Sequence, residues 1–231
     1  MKDRKFGVEL EFSSNGLGTY GINNILEVID ADANWDIGRD GSDIELRSPI
    51  LQGTKGFKEL KKVMNALLKE GCSTTTTDGL HIHHDAPEFA NSRENTILLV
   101  KSWYQNQDAI FKFVKSNRKN SWACGSWGIN DIKQLEKDIF HNGGGFYGYY
   151  HRKSLNIDSL DDHGTIEIRL HEGTLNYDET EAWIKFGQKF LDSCIIRKNP
   201  IPKLSDEDLL LKRIRVARKT ELALKEKAKR R

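Results

Sequence analysis

Glu9 and Glu11 stand two residues apart in Phe6-Gly7-Val8-Glu9-Leu10-Glu11-Phe12, where apolar residues fill the alternate positions. In an extended chain that spacing sends both carboxylates to one side, about 6–7 Å apart along the backbone. Their repulsion asks for a cation. Carboxylate oxygens are hard ligands suited to Mg2+ or Mn2+, and several glutamates with an imidazole can hold two such ions on a polyphosphate. Taken alone, Glu-x-Glu also fits a solvent-facing strand. The pattern recurs, however: Glu45 and Arg47 oppose Ile44 and Leu46, and His81 and His83 oppose Leu80 and Ile82. In the longest case Thr165, Glu167, Arg169 and His171 oppose Ile166, Ile168 and Leu170. Paired imidazoles on one strand side suit a ligand or a phosphate, and one core histidine with a surface neighbour is the plain alternative. Glu167-x-Arg169 alone reads as an ion pair. One sheet face holding Glu9, Glu11, Glu45, His81, His83, Glu167 and Arg169 is poorly explained as ordinary wet surface.

Helices must carry the other side of that sheet. Helical spacing covers residues 22–29 and Phe57–Leu68, the latter stopped by Gly71, with further helices expected over about 92–117, 131–140 and 179–196. Asp178 reads as the N-cap of the last. After Asn199-Pro200-Ile201-Pro202, a basic tail repeats Leu210, Ile214, Ala217 and Leu224 behind a capping-box-like Ser205 and Asp208, which predicts one helix with an apolar seam. Short strands mixed with helices, and no regular βαβ rhythm, predict an α+β fold whose mostly antiparallel sheet has helices packed on one face.

The chain has 231 residues, 37% hydrophobic and 30% charged, the makeup of an ordinary globular protein. No run approaches a membrane span and the N-terminus lacks a signal-peptide pattern, so neither a membrane nor secretion is expected. Three scattered cysteines form no disulfide framework, which predicts a reduced, cytoplasmic compartment. The net charge of +2 hides ten Lys/Arg against five acids in residues 205–231, over a mildly acidic body. That balance does not describe a dedicated nucleic-acid binder. No phosphate-binding glycine motif is present, and Gly143-Gly144-Gly145 reads as a mobile loop, a lid over the site.

Four ordered segments carry a family resemblance: Phe6–Phe12, then Asp40-Gly41-Ser42 with Ile44–Leu51, then Gly79–His83, then Leu155-Asn156 with His163–Leu175. Together they resemble the motifs of the amidoligases, carboxylate–amine ligases of the glutamine synthetase and glutamate–cysteine ligase superfamily found in phages and bacteria, over roughly residues 5–196. The resemblance implies a curved, glutamine-synthetase-like catalytic domain at 1–198, followed by a joint and basic helix at 199–231. It implies ATP with Mg2+ (or Mn2+), and an amide formed between a carboxylate and an amine substrate through an acyl phosphate. Glu9, Glu11, Glu45, His81 and Glu167 would be metal ligands. His83, Arg118 and Asn156 would meet the nucleotide, Arg169 the transferred phosphoryl group, and Asp40 and Ser42 the substrate; Glu11, Glu167 and Arg169 form the catalytic set. The amine and the acid could be small molecules, peptides or proteins, and a homo-oligomer is compatible with the superfamily. If phage-encoded, the protein would act in the host cytoplasm. The stretch between Asp40 and Glu45 is shorter than in many relatives, and Lys153 stands where an arginine is expected.

Two other readings compete. His81, His83, His84 and Asp85 could form the zinc cluster of a hydrolase, although their order departs from zinc-hydrolase spacing. A non-catalytic module could instead use the tail together with Trp122 and Trp127 on nucleic acid; this partner is not favoured. Cys124 is not needed as a nucleophile, because nothing in the sequence places a histidine base beside it.

Overall fold

Strict alternation makes Phe6–Phe12 a strand, β1, with Phe6, Val8, Leu10 and Phe12 buried and Glu9 and Glu11 turned the other way. The computed structural model describes residues 3–40, 43–118, 124–141 and 149–229. Beside β1 lie β2 (Asp36–Asp40), β3 (Asp43–Arg47), β4 (Gly79–Asp85), β5 (Leu155–Asn156) and β6 (Thr165–Glu172). They form one sheet in the order β2-β3-β1-β4-β6-β5, every pair antiparallel. The predicted α+β class therefore holds. β2 and β5 escape the pattern: Asp36-Ile-Gly-Arg-Asp40 has no apolar alternation, and β5 is two residues long.

The described residues contain nine α-helices: α1 (Gly18–Val28), α2 (Gly53–Lys69), α3 (Pro87–Ala90), α4 (Arg93–Ile110), α5 (Ile129–His141), α6 (Ser159–His163), α7 (Tyr177–Ile195), α8 (Glu207–Arg213) and α9 (Arg218–Lys229). None is long and apolar enough to cross a membrane. α7 lies directly on the apolar face of β4 and β6, because a Cβ on Gly187 would collide with His84 Nε2 and Ile168 Cδ1. Trp183, Phe186 and Phe190 of α7 then meet Trp103, Phe113 and His171 edge-on or tilted.

Helices α1 and α2 begin at Gly18 and Gly53, a turn before the expected residues 22 and 57, and three further boundaries differ from the sequence expectation. The helix expected over 92–117 ends at Ile110 and gives way to 3-10 turns at Phe111–Phe113 and Ser116–Arg118. Phe111, Phe113 and Val114 are all buried in this segment, and Val114 has already turned to an extended φ of −122° and ψ of 154°. The cap of α7 is Asn176, whose side chain accepts from the Glu179 N–H; Asp178 sits in the first turn. The tail is two helices, not one. Arg215 adopts a left-handed φ of 58°, Val216 N–H donates to Leu211 O and Arg215 N–H to Lys212 O, which is a Schellman stop. α8 is capped by Asp206, which accepts from Leu209 N–H at 2.8 Å, and not by Ser205. Leu210, Leu211, Ile214 and Leu224 join the main core.

Candidate active site

Cross-strand register assembles the polar face. Glu9 lies opposite Arg47 on one side and His81 on the other; Glu11 lies opposite Glu45, His83 opposite Glu167, and Glu167 opposite Asn156. Five strands thus bring these residues onto one face, each strand about 4.8 Å from the next. At their centre His81, 3% exposed, places Nδ1 3.0 Å from Glu9 Oε2 and 3.6 Å from Glu167 Oε1, and Nε2 3.6 Å from Glu11 Oε1. His83 Nε2 is 3.3 Å from Glu9 Oε1 and 3.8 Å from Glu167 Oε1, while its Nδ1 meets Thr165 Oγ1 at 3.0 Å. Ligand atoms of Glu9, His83 and Glu167 lie within 4.8 Å of one another, a mixed oxygen and nitrogen set that suits a divalent cation.

The electrostatics follow from this crowding. Burial alone would raise the Glu9 carboxyl, but hydrogen bonds from His81 and His83 outweigh it and hold Glu9 well below the usual carboxylate range. Burial would lower His83, yet Glu9 and Glu167 carry it above its ordinary value. At the sheet edge Glu45 is pushed up by burial and by Glu9, and Arg47, its ion-pair partner, offsets this only in part. Arg47 also holds Asp36 at 2.9 Å.

Glu167 is held from two further sides. Arg169 Nη1 donates to Oε1 at 2.6 Å and Asn156 Nδ2 to Oε2 at 2.5 Å. Arg169 follows Glu167 on the same face by alternation and opens a β-bulge: Leu80 pairs with His171 and Ile82 with Ile168, so Arg169 and Leu170 share one partner, His81. Arg118, 4% exposed, donates from Nη2 to Arg169 O at 3.0 Å and from Nε to Leu170 O at 3.4 Å, satisfying the two bulged carbonyls. Gly79 completes the cluster. Its N–H donates to Glu11 Oε2 at 2.5 Å, and a Cβ there would come within 2.8 Å of His81 Nε2 and 3.1 Å of Arg118 Nη2.

The structure thus gathers Glu9, Glu11, His81, His83, Asn156, Glu167 and Arg169, with Arg118 alongside and Glu45 at the margin. Asp40 ends β2 opposite Asp43; Ser42, Trp122 and Gly143-Gly144-Gly145 lie outside the described residues. His171 is a correction: the bulge reverses the alternation and puts it on the helix side, 1% exposed, against Trp183. His84 likewise faces α7, fully buried, so the zinc cluster of His81, His83, His84 and Asp85 does not assemble. Trp127 is buried, its indole N–H donating to Leu155 O, and so offers no nucleic-acid surface. Cys124 is buried, with Sγ 3.0 Å from Arg118 O. Lys153 turns to Asp131 at 2.6 Å. Sequence reading missed Gly79 and Thr165 as site residues; the signal for Gly79 was a glycine two residues before His81, on the polar face of the same strand.

An antiparallel sheet that presents carboxylates, imidazoles and guanidinium groups on one side is a scaffold on which charged ligands can be held. Residues 28–191 match the model of the family described as "Putative amidoligase enzyme". That span is most of the chain, and the protein belongs to the amidoligase family, by description a family of ligases. β1, with Glu9 and Glu11, precedes the matched span; its register with β3 and β4 ties it to the same site. A comparison with curated proteins finds no match.

Proposed function

We propose that the protein is an ATP- and Mg2+-dependent ligase that joins a carboxylate to an amine through an acyl phosphate. The observation that carries this reading is the convergence of Glu9, His83 and Glu167 donor atoms within 4.8 Å, from three strands, with Arg169 bound to one of them. The donor chemistry fits a hard divalent ion, and Glu9, Glu11, Glu45, His81 and Glu167, with His83 added by the geometry, are the residues to hold it. Such an ion would supply neutralisation of the polyphosphate charge. Arg169 then meets the equatorial oxygens of the γ-phosphoryl group, as a guanidinium does in phosphoryl transfer. With His83 given to the ion, Arg118 and Asn156 are left to fix the nucleotide phosphates. The acid substrate, met by Asp40 and Ser42, attacks the γ-phosphorus with a carboxylate oxygen, and ADP leaves. The amine nitrogen attacks the acyl carbon, phosphate departs, and the amine proton passes to solvent or to a carboxylate of the site. A curved, glutamine-synthetase-like form of the sheet and action in a reduced cytoplasm belong to the same proposal.

Hydroxylamine tests this reading, because it traps an acyl phosphate as a hydroxamate. With ATP, Mg2+, hydroxylamine and a panel of carboxylic acids, the ligase reading expects ADP and hydroxamate in equal amounts with at least one acid, and neither from Arg169→Gln. ATP turnover without hydroxamate across the panel contradicts it.

A further inference from the structure

The C-terminal helix α9 reaches the catalytic sheet through one buried ammonium. Lys227, 8% exposed, sets Nζ 2.7 Å from His171 Nε2, 2.8 Å from Glu172 Oε1 and 3.3 Å from Glu179 Oε2. His171 Nδ1 is 2.7 Å from Glu172 O, which can only accept, so Nδ1 carries the proton and Nε2 accepts from Lys227. All three N–H bonds of the ammonium then have acceptors on β6 and α7. A buried ionic cluster of this kind stabilises no better than apolar side chains of the same size, so stability alone is a weak reason for it.

What the cluster holds lies at the other end of Glu172. Its Oε2 accepts the Lys115 backbone N–H at 3.0 Å. Lys115 leads into the turn Ser116–Arg118, whose last N–H donates back to Lys115 O at 3.0 Å. The Arg118 guanidinium, in turn, ties the bulged carbonyls of Arg169 and Leu170. An unbroken series of contacts therefore runs from Lys227 through Glu172 and Lys115 to Arg118 and the bulge that begins at Arg169.

We propose that Lys227 is a positioning residue for the nucleotide side of the site: by holding Glu172 it fixes the 115–118 turn and, through it, Arg118 and Arg169. The assignment rests on the ligase reading for what Arg118 and Arg169 contact. Removing the ammonium leaves the buried Glu172 carboxylate without a counter-charge. Glu172 then takes up a proton or draws in water, and the Lys115 N–H loses its charged acceptor.

The test compares full-length Lys227→Met with Leu224→Ala, which weakens the same helix from its apolar side and touches none of these groups. Amide hydrogen exchange at 115–118 is read without any ligand, and the affinity of a fluorescent ATP analogue with Mg2+ is read separately. Losing a charged hydrogen bond predicts roughly tenfold faster exchange at 115–118 and roughly tenfold weaker nucleotide binding in Lys227→Met. Leu224→Ala is expected to lower the melting temperature and to move neither readout. Glu172→Gln should share the Lys227→Met exchange signature, which covers the case in which Lys227→Met fails to fold. Unchanged exchange at 115–118 in both cluster variants, or the same changes in Leu224→Ala, overturns the proposal. If exchange responds as expected while the wild type binds no nucleotide, the link from Lys227 to Arg118 is supported and the ligase reading fails.

Discussion

Glu9 and His81 face each other across β1 and β4, with Glu9 Oε2 3.0 Å from His81 Nδ1, and Glu9 is at the same time 3.3 Å from His83. One carboxylate therefore anchors both imidazoles. Glu9→Gln keeps the shape but removes the charge that orients them. The variant should fold, since Glu9 points away from the core, and should bind the Mg2+ complex of an ATP analogue roughly tenfold or more weakly, the cost of a lost charged contact. Calorimetric titration measures this, and wild-type affinity in the variant counts against the assignment.

Gly79→Ala probes crowding without changing any charge. Gly79 lies outside the left-handed φ region, so alanine strains no backbone, but its methyl group would press within 2.8 Å of His81 Nε2 and 3.2 Å of Glu11 Oε2. The expected result is a near-native circular dichroism spectrum with nucleotide turnover largely lost. Full activity would show that His81 and Glu11 need not hold their observed places.

The buried His84 makes stability depend on pH. Neither ring nitrogen has a hydrogen-bond partner, and burial first, then the charges of Arg4 and His83, push the imidazole down from 6.5 to about 3. The unfolded chain takes up this proton below about pH 6.5 and the folded chain does not until about pH 3, so stability falls with pH across that window. The slope from this group is at most about 1.4 kcal/mol per pH unit, and above pH 6.5 it contributes none. Melting temperatures recorded in chelator from pH 7.5 to 4.5 should decline less steeply for His84→Leu than for the wild type. Identical slopes would show that His84 is protonated at no cost in the fold.

Arg215 stands at the left-handed position of the α8 stop, where glycine is free of the Cβ clash. Arg215→Gly should raise stability by about 1 kcal/mol, read as a higher urea midpoint at unchanged slope. A lower midpoint would mean that the Arg215 side chain contributes more than its backbone costs.

These cases show what the sequence could and could not reveal. Alternation over Phe6–Phe12, Ile44–Arg47 and Gly79–His83 exposed the polar face, because a period of two is local and survives in any sheet. Which glutamate meets which histidine is a matter of register between distant strands, and no local pattern encodes it. The bulge at Arg169–Leu170 is the plainest failure. Continued alternation puts His171 beside Glu167, whereas one extra residue turns it to Trp183 and Lys227. The split tail was hidden for a similar reason, since a left-handed arginine carries none of the signal that a glycine would. The family resemblance, by contrast, was legible because it rests on ordered motifs, and the match over residues 28–191 bears it out.

The central claim is that Glu9, His83 and Glu167 gather divalent ions around a nucleotide's phosphates. Electron paramagnetic resonance of Mn2+ titrated into the protein with a non-hydrolysable ATP analogue tests it most directly. The account predicts protein-bound Mn2+ in the wild type beyond what the analogue alone binds, and its loss in Glu167→Gln. A wild-type spectrum identical to that of the analogue without protein would contradict it.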